Sequence, residues 1–246
     1  MRCLIELSAQ KAQTYRADYH VKLQGVIYRI LERADRNDIH DNEPFKFLTF
    51  SNIFPPQDME EGDERTLIVA SPNEPLIDDI ATAVTAMGRI EPGNQQYTVE
   101  GTTTFRVNPG EQGRMITGTP IVVRLPADRC PDYGIDPGNY DDVYWRLEHD
   151  SEAFIDSIED NLAHKYEEYY DREPPDRPYF TSYSPRKQVS IPRHYENERV
   201  PTIATTWELG YECPTREMHR LIRMAYAAGV GELNTTGFGF MNKMET

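Results

Sequence analysis

The sequence predicts an α+β protein built from two tandem ferredoxin-like (RRM-like, βαββαβ) domains, and three observations lead to that class. The hydrophobic period switches between the strand and helix values in the order strand, helix, strand, strand, helix, strand. The same order then occurs a second time. The 246 residues are 38% hydrophobic and 11% aromatic, enough to bury the core of one or two domains.

Each element has its own signal. Arg2 to Ser8 alternates as a strand, and His20 to Ala34 places Leu23, Val26, Ile27, Ile30 and Leu31 at helical spacing. Phe45 to Phe54 is apolar and rich in strand formers until Pro55-Pro56 stops it. Thr66 to Ala70 is a short strand. Glu74 to Met87 is a helix with Leu76, Ile77, Ile80, Ala83 and Val84 on one face, and Tyr97 to Val107 closes the first domain, 1–112.

The second domain, 113–246, opens with a proline-interrupted strand from Ile116 to Leu125 and a Pro/Gly/Asp-rich loop through Tyr140. Val143 to Tyr170 reads as a helix. Tyr179 to Ile191 and Val200 to Tyr211 read as strands. Thr215 is placed to N-cap a helix from Glu217 to Ala228, and Gly231 to Met241 is expected to return as the final strand.

Composition narrows the function. Forty-one acids against 26 bases give a net charge of −15, which taken alone argues against a nucleic-acid partner. Two details weaken that argument. Residues 141–173 hold twelve acids and three bases, so this window supplies −9 of the total. By contrast, Pro178 to His194 contains Arg186, Lys187 and Arg193 and no acid, so one basic face can survive on an acidic chain. Six lysines against twenty arginines, with acids spread over helix faces and loops, suit a salt-rich cytoplasm, where screening shortens self-repulsion.

No apolar run approaches a membrane span and no signal peptide is read at the N-terminus, so a cytoplasmic protein without membrane association is expected. Cys3, Cys130 and Cys213 are too few and too far apart for a disulfide set or a zinc site, and read as reduced and mostly buried.

The segment after the last helix holds four glycines in two G-x-G pairs, Gly229, Gly231, Gly237 and Gly239. Such a run suits a loop whose free N–H groups cradle phosphate oxygens. It equally suits a helix C-cap followed by a glycine-weakened edge strand. No Walker A, H-E-x-x-H or G-x-S-x-G pattern occurs, and the glycines follow a helix instead of opening one, unlike a dinucleotide fingerprint.

One further set of residues can do chemistry: Tyr28 on the first helix, His40 in the loop after it, and Lys46 six positions later. A histidine exchanges protons near neutral pH, a lysine holds charge against a pentavalent phosphate, and a tyrosine orients a hydroxyl. Together they suit cleavage of RNA by its own 2′-OH, a reaction that needs no metal. Each also has an ordinary reading: His40, beside Asp41, Asn42 and Glu43, as a solvated turn residue, Lys46 as an exposed strand lysine, and Tyr28 at a core edge. Of the other histidines, His20 and His219 read as structural, His149 and His164 as surface residues, and His194 as a neighbour of the basic strand.

Several segments resemble the CRISPR repeat-RNA-processing endoribonucleases of the RAMP superfamily, in their haloarchaeal, type I form. They are the opening strand, Leu23-Gln24-Gly25-Val26-Ile27-Tyr28, His40 followed by Lys46 in Phe-Lys-Phe-Leu-Thr-Phe-Ser51, Thr117 to Val123, and the Gly229 to Gly239 loop. The resemblance implies tandem ferredoxin-like domains, no cofactor, and metal-independent cleavage of precursor repeat RNA to a 5′-hydroxyl and a 2′,3′-cyclic phosphate.

Carried over by position, His40 would be the general acid/base, Lys46 the phosphate clamp and Tyr28 the residue that positions the attacking hydroxyl. The glycine loop would support RNA, with Arg186, Lys187 and Arg193 beside it. Expected partners are the precursor repeat RNA, the mature guide RNA and further CRISPR-associated effector subunits, for a monomer or homodimer. A competing reading is a non-catalytic RAMP subunit that only binds guide RNA. The strong acidity departs from the basic members of that family.

Overall fold

In the computed structural model, residues 1–15, 19–36, 47–195 and 198–244 are described, with the backbone alone for 19–21, 193–195 and 198–200. The chain divides into two compact units, Met1–Val107 with Thr235–Gly237, and Asn108–Asn234 with Phe238–Thr246.

The first unit is built on β1 (Arg2–Ala9), whose Cys3, Ile5, Leu7 and Ala9 alternate into the core. It continues through α1 (Tyr19–Arg33), β2 (Thr49–Phe50), β3 (Glu64–Ala70), α2 (Glu74–Met87), β4 (Arg89–Ile90) and β5 (Tyr97–Phe105). All neighbouring strands run antiparallel in the order β2-β3-β1-β5-β4, which is the ferredoxin-like order with a two-residue edge strand added. Leu23, Val26, Ile27, Ile30 and Leu31 of α1 and Leu76, Ile77, Ile80, Ala83 and Val84 of α2 share one core with the alternating face of β1. Each such Leu, Ile or Val side chain gains about 1.5–3 kcal/mol from burial, so the two helical stripes fix which face of the sheet is covered.

Local signals set the ends of α2. Asn73 Oδ1 accepts the Leu76 N–H at 3.2 Å, and Gly88, at φ 66, donates its N–H back to Val84 and Thr85 carbonyls.

The second unit runs β6 (Gln112–Thr117), β7 (Arg124–Pro126), β8 (Asp142–Tyr144), α3 (Ser151–Tyr170), β9 (Ser182–Tyr195), β10 (Glu198–Glu212), α4 (Arg216–Ala228) and β11 (Met241–Lys243). Its main sheet has the order β11-β6-β10-β9, and β7 pairs only with β8. With that small hairpin set aside, the order is a second βαββαβ unit, so the tandem ferredoxin-like class holds. Its core centres on Trp207, which stacks on Phe154 of α3 at 4.1 Å between ring centroids and meets Trp145 at 5.3 Å. Thr215 caps α4, accepting the Met218 N–H at 3.1 Å.

Four expected elements are corrected. The strand from Ile116 stops at Thr117, because Gly118 and Pro120 turn the chain there and Ile121 and Val122 keep only isolated bridges. The acidic helix starts at Ser151, where Asp150 accepts the Glu152 N–H at 2.9 Å, and residues Asp142–Tyr144 pair with β7 instead. Among the described residues, the second strand of the first unit covers Thr49–Phe50, with Phe54 making one isolated bridge. The final strand shrinks to Met241–Lys243, since Gly231, Leu233, Gly237 and Gly239 all hold positive φ, which no extended ladder accepts.

All three cysteines are free and buried, as expected. Burial pushes the Cys3 and Cys213 thiols up to about 11, which leaves both unreactive near neutral pH. Among the described residues no helix is long and apolar enough to cross a membrane.

Candidate functional site

The glycine segment folds into a closed loop around a buried lysine. Lys165, on α3, donates to the Gly229 carbonyl at 3.1 Å, the Gly231 carbonyl at 2.9 Å and Asn234 Oδ1 at 2.6 Å. Three acceptors match the three N–H bonds of an ammonium. Burial pushes the Lys165 pKa down to about 7, with Glu232 acting in the opposite sense. Glu232 is itself held by Arg124, whose Nη2 lies 2.6 Å from Oε2.

The loop closes on itself with its remaining polar groups. Asn234 Nδ2 donates to the Val230 and Phe238 carbonyls at 3.2 and 3.0 Å, and the Val230 N–H reaches the Gly239 carbonyl at 2.9 Å. Two glycines are required by space as well as by φ. A Cβ on Gly239 would overlap the Val230 carbonyl oxygen, and one on Gly231 would lie 2.6 Å from Ile121 Cγ2. The expected cradle of free N–H groups is therefore not formed at Gly229 and Gly239, whose N–H groups donate to the Ala225 and Pro120 carbonyls. Carbonyls, not amides, converge at the centre of this loop.

Of the three residues expected to do chemistry, Tyr28 lies on α1, half-buried at the edge of the first unit's core. His40 and Lys46 lie outside the described residues. Arg36 Nη2 meets Asp79 on α2 at 2.6 Å, and Phe47 holds φ 40, a conformation that costs a bulky residue about 1–3 kcal/mol.

The basic strand forms as β9, with Arg186 and Lys187 exposed. Arg186 is ion-paired with Glu208 on the neighbouring β10, so its charge is partly answered within the sheet. Arg193 belongs to β9, and its side chain lies outside the description.

A family model for the C-terminal region of the CRISPR-associated protein Cas6 matches residues 106–243. A CRISPR-associated endoribonuclease Cas6 from Haloferax mediterranei is 33% identical over 254 aligned positions, covering 100% of this chain and 94% of the relative. The chain belongs to the Cas6 family of CRISPR-associated endoribonucleases. Two solved structures agree in fold over their whole length. A CRISPR-associated Cas6 protein superposes with a TM-score of 0.75 at 20% identity, covering 100% of this chain and 99% of the other. A RAMP protein described as binding different RNA substrates gives 0.71 at 22% identity, with 100% of both chains covered.

In this member of the Cas6 family, sequence reasoning missed Lys165 and Glu159. Both sit on the buried face of α3, where Ile158, Leu162 and Lys165 fall at helical spacing. Glu159 accepts the Tyr179 and Phe180 N–H groups at 2.7 and 3.0 Å, and burial raises its pKa while those N–H groups pull it back. The signal that could have found them was position in the helical stripe, hidden by the charge of the surrounding segment.

Other acids of that segment are also engaged. Burial works to raise the pKa of Asp160, but Arg129 at 2.7 Å and Arg177 at 2.5 Å together hold its carboxyl below the usual carboxylate range.

Proposed function

We propose that this Cas6 chain cuts precursor CRISPR RNA within its repeats and so produces guide RNAs for antiviral defence. In this reading the Tyr28 hydroxyl positions the attacking 2′-hydroxyl, and His40 is the general acid/base. The 2′-oxygen, giving its proton to the His40 imidazole, attacks the adjacent phosphorus, the bond from phosphorus to the 5′-oxygen breaks, and that oxygen takes up a proton from the resulting imidazolium. Lys46 holds the phosphate oxygens as they gain charge. The products are a 2′,3′-cyclic phosphate and a 5′-hydroxyl, and the reaction draws on acid, base and fixed charge, with no metal.

The observation that carries this reading is a chain related along its full length to a Cas6 endoribonuclease, with a histidine and a lysine six residues apart just after the helix that bears Tyr28. The glycine loop, with its backbone fixed by Lys165 and all four of its glycines buried, supports RNA binding through the shape it holds. Gly229, Gly231, Gly237 and Gly239 bear on RNA through that shape. Lys187 and Arg193 on β9 supply phosphate contacts, joined by Arg186 when RNA competes with Glu208. Further CRISPR-associated subunits receive the guide RNA.

The test is to incubate the protein with repeat-containing RNA in EDTA and to analyse the ends of the products. A 5′-hydroxyl and a cyclic phosphate are expected. Tight binding without any cleavage would favour the non-catalytic RAMP reading instead.

A further inference from the structure

Most arginines with described side chains in this protein meet a carboxylate: Arg36 meets Asp79, Arg106 meets Glu74, Arg124 meets Glu232, and Arg129 and Arg177 share Asp160. One face of the first unit is different. Lys22, Val26, Arg29 and Arg33 fall at helical spacing along α1 and form one stripe. Arg29 donates to the backbone carbonyl of Glu91 at 3.0 Å, and neither Arg29 nor Arg33 makes an ion pair among the described residues. Arg89 is 70% exposed and makes a long ion pair with Glu91 at 3.7 Å.

Two cavities open along this stripe. The larger, about 420 Å³, is walled by Arg29, Arg33 and Arg89, with half-buried Met87 and exposed Ala86 as the accessible apolar part of its floor. The smaller, about 220 Å³, is bordered by Lys11 and Lys22. Among the described residues, Glu91 is the single acid that lines either one. Among the described residues, five cations against one acid is the reverse of the balance in a chain of net charge −15.

We propose that this track binds single-stranded RNA that flanks the cleaved repeat. The inference rests on the RNA-processing reading above and extends it to a surface on the helical side of the first unit. From Lys22 to Arg33 the helix rises about 16 Å, room for about five phosphates of a stacked strand at about 3.4 Å each. Guanidinium forks hold phosphate oxygens in pairs, and an apolar floor between them accepts the flat face of a base. A track for an acidic peptide would need the cations but not the floor.

The test compares two RNAs, the repeat alone and the repeat with a single-stranded extension of a dozen nucleotides on either side. Affinities are measured across a salt series for the wild type, Arg29→Gln/Arg33→Gln and Lys11→Glu, with circular dichroism as a check on folding. For the wild type, the extension should tighten binding about tenfold or more. Each variant should lose that gain, and the double variant's salt slope on the extended RNA should fall by about 1.4, two single-strand contacts at about 0.7 each. Equal effects on the two RNAs, or none on either, would overturn the proposal. Selective binding of polyglutamate through the same arginines, with RNA affinity unmoved, would also overturn it and assign the track to an acidic protein. A wild type that neither binds nor cuts the repeat would instead count against the RNA-processing reading itself.

Discussion

Lys165 Nζ lies 2.6 Å from Asn234 Oδ1, and this contact ties α3 to the loop that follows α4. The same nitrogen holds two glycine carbonyls, so one side chain gathers acceptors from Gly229, Gly231 and Asn234. The loop holds positive φ at five positions, and this ammonium adds its three contacts to the hydrogen bonds that the loop makes with itself.

Replacing Lys165 with Met should therefore loosen the loop. Three buried acceptors lose their donor, and a net cost of about 1–3 kcal/mol in unfolding free energy is expected by urea titration. The pH dependence has a definite sign. Burial lowers the folded pKa to about 7, so between there and the ordinary lysine value the unfolded chain holds a proton that the native amine has lost. Stability from this group thus rises with pH across that window. The gap between wild type and Lys165→Met should widen from pH 7 to pH 9. A constant gap would mean that the ammonium stays charged throughout.

Glu159 gives a cleaner contrast. Gln at this position keeps an oxygen for the Tyr179 and Phe180 N–H groups and removes a buried charge, so Glu159→Gln should be neutral or mildly stabilising near pH 7. Glu159→Leu leaves both N–H groups without an acceptor and should cost about 1–3 kcal/mol. Thermal melts of the two variants check this, and similar losses for both would show that the charge itself matters.

On β9 the two exposed bases should differ. Arg186 is already paired with Glu208, whereas Lys187 is exposed with no ion pair among the described residues. Lys187→Ala should weaken RNA binding and lower the salt slope by about 0.7, and Arg186→Ala should change both less. Fluorescence anisotropy over a salt series measures the two, and a larger effect at Arg186 would reverse their assigned order.

Much of this architecture was legible in the sequence because its signals are local. The α2 stripe from Leu76 to Val84 and the Thr215 cap need only neighbouring residues to be recognised, and both form where the pattern places them. The elements that were misread depend on distant partners. Asp142–Tyr144 becomes a strand because β7 is there to pair with it, and the terminal glycines close into a loop because Lys165 lies beneath them. Lys165 looked like one more charge in an acidic segment, since periodicity registers apolar residues and passes over a buried ion. The family resemblance was carried by short motifs, and it extends over the full chain. Tyr28 was placed correctly on the first helix, while His40 and Lys46 fall outside the described residues, so their roles rest on chemistry and sequence position.

His40 carries the central claim, and its removal is the most direct test. Single-turnover cleavage of repeat RNA, in EDTA and concentrated salt, should fall about 100- to 10,000-fold in His40→Ala while RNA affinity changes little. Cleavage at the wild-type rate by His40→Ala would contradict the account and move the chemistry to other residues.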